Sequence, residues 1–583
     1  MATEVDAPKS GHPKILTKTE SSYTRRRNLQ LATSVTWQAC SNAVAGIALA
    51  GMLCIVLVLL LLPARRVKRQ PHIVFILADD LGWDDVSFHG SSQIPTPNLD
   101  ALAADGIILN RFYTQPSGTP SRSGLLTGLY AIRTGLQGLA VDVADPLGLP
   151  LNVRLLPEYL REIGYETHLI GKWAIGYYKT SLTPTCRGFD SFYGYYNEEE
   201  DYYTHSITYE NHTGVDFWLN MEPLFSESGS YSTTLFTERA QYLIQNRNRS
   251  KPFFLLLSHQ APHGAGEREP FQAPQENVDK FPYIGEKNRT IYAGMVDALD
   301  QSVGEVFKAL SDARMLDNTI LIFCSDNGGQ PWGRHTTRSF SWPLRGSKGT
   351  VWEGGTRVPA FVWSPLLANT RRVSDQLMHI TDWLPTLYSI AGGDVDTLGE
   401  LDGFNMWRYL SQGIGSPRVE MLHNIGNLFL NSSALRSGRY KLVLDGTGHM
   451  NERYARPGGV RPYDDLDKLL TESTAAKVLR GFHNREHLRF PKDWRERAAL
   501  KCGNPDGGQF YSNGTVYLFD IIEDPCELNN VASLHPEVVT FLRTRLGAIE
   551  AKGMPLQHEP KDPAGFPENH NGTWAPWVNT SCG

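Results

Sequence analysis

Two short segments constrain the fold of this chain more than any other feature. They are 72-HIVFILADDLGWDD-85 and 319-TILIFCSDNGG-329. Each is a run of β-branched and large apolar residues that stops abruptly at acids or amides, followed by glycine. A run apolar at every position is a strand buried on both faces, as in the parallel sheet of an α/β protein. In open α/β sheets the ligand crevice lies beyond the carboxyl ends of the strands. The pattern therefore predicts that Asp79, Asp80, Asp326 and Asn327 meet at one crevice. Three carboxylates and one amide oxygen form an oxygen-only donor set, suited to Ca²⁺ or Mg²⁺. Taken singly, a strand followed by Asp is more often a helix N-cap or a turn.

The rest of the chain sets the context for that crevice. Its 583 residues suffice for one large domain and a smaller one. The net charge of −6 gives no reason to expect a nucleic-acid partner. The amino-terminal segment differs in kind. Residues 1–42 are polar, with a basic cluster at Arg25, Arg26 and Arg27, and read as a cytoplasmic tail. Residues 43–62, AVAGIALAGMLCIVLVLLLL, carry no charge and are long enough to cross a bilayer as a helix. So long a leading tail, with no small-x-small site after the run, predicts a signal anchor rather than a cleaved signal peptide. Residues 63–70 form a basic linker. Its charge pulls against a lumenal body by the positive-inside rule.

Two features favour that lumenal body, and hence a type II protein of the secretory pathway or cell surface. Seven Asn-x-Ser/Thr sequons follow the apolar run, at Asn211, Asn248, Asn288, Asn431, Asn513, Asn571 and Asn579, and none precedes it. Five cysteines also follow it: Cys186, Cys324, Cys502, Cys526 and Cys582. In an oxidising lumen some of these pair. Cys502 and Cys526 close a short loop and are the expected pair; the pairing of the other three stays open. The run 66-RVKR-69 reads as a basic stop flank. It also has the form of a convertase site, where cleavage after Arg69 would release a soluble body.

Further segments carry a resemblance. In order and spacing, 115-QPSGTPSRSGLLTG-128, 171-GKWAIG-176, 187-RGFDSFYGY-195, 345-RGSKGTVWEGGTR-357 and 518-LFDIIEDPCELNNVA-532 resemble the sulfatase family. Within it they look like the arylsulfatase B (N-acetylgalactosamine-4-sulfatase) branch. The resemblance runs from Pro71 to the carboxyl terminus. It implies an α/β fold, an alkaline-phosphatase-like α/β/α sandwich over residues 71–420, with a smaller α+β domain over 421–583. It also implies one Ca²⁺ ion, held at Asp79, Asp80, Asp326 and Asn327.

The family's nucleophile is a cysteine of a Cys-x-Pro-x-Arg motif, oxidised to formylglycine. By the same resemblance, Arg122 holds the nucleophile loop, and Lys172 and Lys348 bind sulfate. His263, in 258-SHQAPH-263, protonates the leaving alcohol or orients the sulfate. The implied ligands are sulfated glycans or aryl sulfate esters.

This sequence departs from the family at two positions. Gly118 stands where the cysteine is expected, so no formylglycine is expected, and Ser117 is one residue out of register. Ala174 stands where the family has a histidine that contacts the formylglycine hydroxyl. Losing a covalent nucleophile costs on the order of 10⁶-fold in turnover. The expectation is a sulfatase fold with its metal and sulfate sites kept and its catalysis crippled. Two other readings stay open. One is an active hydrolase using water or Ser117. The other is an interaction scaffold that pairs with active sulfatases.

Overall fold

The computed structural model describes residues 22–583, apart from 62–68, 139, 267–268, 333–335, 427–430, 446–451, 489, 503–514 and 583. Residues 1–69 and 70–583 are separate compact units. In the first, helix α1 runs over Ser22–Leu61. It begins well before the apolar run, because no glycine or proline interrupts Ser22 to Ala45. Among the described residues no helix is long and apolar enough to cross a membrane. The side chains of 53–62 lie outside that description, as do residues 1–21 of the tail and 62–68 of the linker with most of its RVKR run.

The second unit is built on a ten-stranded sheet. Its strands are β1 (His72–Ala78), β2 (Ile107–Leu109), β3 (Glu166–Lys172), β4 (Ser191–Tyr195), β5 (Trp218–Leu219), β6 (Glu222–Pro223), β7 (Phe253–Ser258), β8 (Thr319–Ser325), β9 (Ala360–Trp363) and β10 (Arg372–Ser374). Their spatial order is β10-β2-β9-β8-β1-β7-β3-β4-β5-β6. The central strands β8, β1, β7, β3 and β4 are parallel, while β9 joins β8 and β5 joins β4 antiparallel.

Both faces of this sheet are covered. Along β1, Val74, Ile76 and Ala78 enter one apolar cluster, while Ile73, Phe75 and Leu77 enter another. That is the period-two alternation of a strand, here apolar on both sides. Helices α2 (Pro97–Asp105), α4 (Ser232–Asn246) and α5 (Lys287–Asp312) contribute to the first cluster; α3 (Gly118–Thr127) and α6 (Trp383–Ile390) contribute to the second. This is the three-layer α/β/α arrangement. Two later helices, α7 (Asp464–Glu472) and α8 (Thr474–Phe482), pack against α2, and α8 also against α5.

A smaller antiparallel sheet follows, of β11 (Glu420–Asn424), β12 (Ser432–Ser437), β13 (Tyr440–Asp445) and β14 (Val516–Asp520), against which α9 (Pro536–Glu550) packs; two further pairs of short strands stand apart from both sheets. A buried ionic cluster ties it to the large layer. Lys441 Nζ on β13 lies 2.9 Å from Glu353 and 2.8 Å from Glu527. Tyr113 donates to the same Glu353 at 2.7 Å. Cys502 is bonded to Cys526 and Cys186 to Cys582, while Cys324 is free and buried in β8. The sequon residues Asn211, Asn248, Asn288, Asn431, Asn571 and Asn579 are exposed, and Asn513 lies outside the described residues.

Candidate functional site

The register of the two central strands builds the site. β1 and β8 pair in parallel from His72 opposite Thr319 to Ala78 opposite Ser325. The residues that follow, Asp79–Asp80 and Asp326–Asn327, therefore emerge side by side at one end of the sheet. All four are fully buried. The backbone N–H of Asp80 donates to Asp326 Oδ1 at 3.2 Å, and Asn327 Nδ2 donates to Asp80 Oδ1 at 2.6 Å. Asp80 holds a left-handed backbone, φ 61°. That conformation is uncommon outside glycine and accumulates at functional sites.

Three oxygens here lack a hydrogen-bond partner: Asp79 Oδ1, Asp80 Oδ2 and Asn327 Oδ1. A buried acceptor left unpaired costs about 1–3 kcal/mol. The three belong to three different side chains of the expected ligand set, and all are hard donors. The residues present thus fit a hard divalent cation. His263 joins the group, with Nε2 3.7 Å from Asp80 Oδ2, and donor atoms of Asp79, Asp80 and His263 all lie within 4.8 Å of one another.

Cationic side chains converge on these acids from neighbouring elements. Lys172 ends β3 and places Nζ 2.6 Å from Asp79 Oδ2. Arg122, one turn into α3, lies 3.0 Å from Asp326 Oδ2 and 3.4 Å from Asp79 Oδ2, and also donates to Ser258 Oγ at the end of β7. Lys348 reaches in from the 345–357 loop, with Nζ 2.8 Å from Asp80 Oδ1. Burial favours protonated Asp79, but Lys172, His263 and Arg122 outweigh it and hold its carboxyl well below the usual range. Asp326 goes the other way. Burial, with the charge of Asp79 beside it, pushes its pKa up to about 7. Two neighbouring buried acids thus have pKa values driven apart, as is common at functional sites.

Gly118 is the first residue of α3. A β-carbon built on it would lie 3.0 Å from Asp326 Oδ2 and 3.7 Å from Arg122 Nε. The position therefore faces the acid cluster. Ser117 is the residue before the helix, with an extended backbone. Ala174 is buried with φ 50°, and its carbonyl accepts from Thr119 Oγ1 at 2.7 Å, tying the end of β3 to α3. The positions expected for metal, for sulfate and for the nucleophile are thus brought to one crevice.

One residue there was missed in the sequence. Glu198, just beyond β4, lies 3.3 Å from Lys172 Nζ and 3.7 Å from Lys348 Nζ. It opens the acidic run 198-EEED-201, which reads as a solvated loop. Only the adjacency of β3 and β4 reveals that it points inward.

The chain has relatives among known proteins and solved structures. The sulfatase family model matches residues 71–393. Arylsulfatase J of Mus musculus is 39% identical over 514 residues, spanning 87% of this chain and 80% of that relative. Arylsulfatase A of Homo sapiens is 31% identical over 408 residues, 66% of this chain and 77% of that protein. Among solved structures, Ps i-CgsB in complex with k-i-k-neocarrahexaose superposes with a TM-score of 0.66 at 25% identity, covering 84% of this chain and 96% of that one.

Proposed function

This chain belongs to the sulfatase family, and from that premise we propose that its crevice binds sulfate esters of glycans and turns them over poorly. The observation that carries the reading is Gly118. It faces the acid and cation cluster from the start of α3, where the family's formylglycine is expected, and has no side chain to oxidise or to attack with. Ala174, the second departure, touches the same helix through Thr119.

In this reading Asp79, Asp80, Asp326 and Asn327 hold one Ca²⁺, which stabilises negative charge on the sulfate when bound. Lys172 and Lys348 then have the sulfate as partner in place of the acids they contact now. Arg122 braces the start of α3 against Asp326 and Ser258. His263 donates Nδ1–H to the Gly264 carbonyl at 2.8 Å, which leaves Nε2 facing the crevice to hold a proton for the ester oxygen. A glycine without the covalent step leaves binding and electrostatic positioning, the residue of activity that survives loss of a nucleophile.

The motif order supports the arylsulfatase B-like branch, and the relatives include N-acetylgalactosamine-6-sulfatase, so sulfated galactosamine glycans are the ligand class we assign. The two disulfides suggest the secretory pathway. The uncharged run 43–62 and the exposed sequons support a type II anchor with glycans on the body, and cleavage after Arg69 as a route to release. Calorimetry on the full chain in detergent tests the binding. A 4-sulfated galactosamine oligosaccharide binds in the presence of Ca²⁺, and its desulfated form and the Lys348→Ala variant do not. Equal binding of the desulfated form overturns the reading.

A further inference from the structure

Among the described residues, Glu198 is the one charged side chain of the crevice with no part in the reading above. Its carboxylate stands among the sulfate-binding cations, with Oε2 3.3 Å from Lys172 Nζ and Oε1 3.7 Å from Lys348 Nζ and 4.0 Å from His263 Nε2. The same Oε1 lies 3.7 Å from the point where a β-carbon on Gly118 would sit. A sulfate poised over residue 118 between the two lysines would need this volume.

The way Glu198 is held differs from that of a structural acid. Glu353, for comparison, accepts hydrogen bonds from Tyr113 and Lys441 and is fully buried. Glu198 Oε2 is buried yet accepts no hydrogen bond. Its side chain is 13% exposed, so it sits at the mouth of the crevice rather than in its floor. Among the described residues its side-chain contacts are ion pairs with Lys172, Lys348 and His263, and charge is what an incoming anion competes for. Its own lysine partners are already in contact with Asp79 and Asp80, so the carboxylate is not needed to neutralise them.

We propose that Glu198 is a tethered anion that occupies the sulfate subsite, and that a sulfate ester enters only by displacing it. The proposal rests on the reading that the crevice takes sulfate. It makes Glu198 the residue that sets the affinity threshold, so that weakly held small anions are excluded. Two unit charges about 4 Å apart in a site of this exposure repel strongly. Screening by the lysines and the freedom of Glu198 to swing out leave an expected gain of about tenfold or more in affinity when the charge is removed.

The test is titration of the full chain in detergent with inorganic sulfate at fixed Ca²⁺, comparing wild type with Glu198→Gln and Glu198→Ser. Both variants are expected to bind sulfate about tenfold or more tightly than wild type, and adding Lys348→Ala to either is expected to abolish that gain. If wild type binds and neither variant binds tighter, Glu198 is no occupant and the proposal falls, while the sulfate pocket stands. If no form binds, the pocket reading falls and takes the proposal with it. Should both variants fail to fold, a crystal structure of wild type with sulfate decides. Glu198 is expected to be swung out of the lysine pair, and its retention between them beside bound sulfate overturns the proposal.

Discussion

Lys172 Nζ lies 2.6 Å from Asp79 Oδ2, and both side chains are fully buried. A residue assigned to sulfate and a residue assigned to metal thus neutralise each other directly. In the proposed reading this pair couples the two ligands of the crevice: a divalent cation on Asp79 would compete with Lys172 for the carboxylate and turn the ammonium toward an anion.

Replacing Lys172 with Met leaves Asp79 without that counter-charge. Breaking a buried pair from one side costs about 3–5 kcal/mol. Urea unfolding in chelator should show that loss, and saturating Ca²⁺ should restore most of it. For wild type, Ca²⁺ at about a hundred times its Kd adds about 2.7 kcal/mol. A chain whose unfolding midpoint ignores Ca²⁺ and chelator alike contradicts the metal assignment.

The link between the small sheet and the large layer is tested at Lys441. Substitution by Met removes the cation shared by the fully buried Glu353 and Glu527, and leaves Glu353 with Arg357 and Tyr113. The expected loss is again about 3–5 kcal/mol, read as a lower midpoint in urea. A change under about 0.5 kcal/mol places the variant among ordinary surface substitutions and shows that the cluster is not structural.

The bond between Cys186 and Cys582 closes a separation of 396 residues and pins the carboxyl-terminal segment to the large unit. Cys582→Ser should lower stability by about 2–5 kcal/mol. Reduction of wild type under native conditions should match it. An unchanged thermal midpoint in both experiments contradicts a structural role.

Acid should act through His89. Its Nδ1 donates to the Ala498 carbonyl at 2.9 Å and its ring stacks on Trp83. Burial, with the charge of Arg357 adding to it, pushes its pKa from 6.5 down to about 3. Below pH 6.5 the unfolded chain takes up a proton that the folded chain does not. The stability His89 contributes is therefore present above pH 6.5 and is lost as pH falls toward 3. The slope is about 1.4 kcal/mol per pH unit for one proton. His89→Asn should flatten the stability profile of wild type by that one proton between pH 6 and pH 4. Parallel profiles contradict the assignment.

Much of the crevice was legible because its chemistry is written in strand ends. The cores of the runs before Asp79 and Asp326, residues 73–78 and 320–324, are apolar at every position, which two-sided burial explains, and their parallel register then brings the acids together. Glu198 was illegible because an acidic run has no period and reads as solvent-facing. Its inward turn depends on β4 lying beside β3, a long-range pairing. The extension of α1 back to Ser22 was missed for a different reason. Polarity marked residues 22–42 as tail, but polarity does not break a helix, and no Gly or Pro stands there to do so.

The central claim is that the sulfate site is kept and the nucleophile is gone. A β-carbon at residue 118 would lie 3.0 Å from Asp326 Oδ2, close enough that a shift of tenths of an ångström admits a cysteine. The decisive measurement is sulfate release from a chromogenic aryl sulfate and a 4-sulfated galactosamine glycan. It uses the full chain co-expressed with the formylglycine-generating enzyme. Wild type is compared with Gly118→Cys plus Ala174→His, alone and with Glu198→Gln. The account predicts that wild type releases sulfate at most at a trace rate, on the order of 10⁶-fold below the restored variants. Wild-type turnover comparable to theirs that Lys348→Ala abolishes would contradict it, and would put a water or Ser117 in the nucleophile's role.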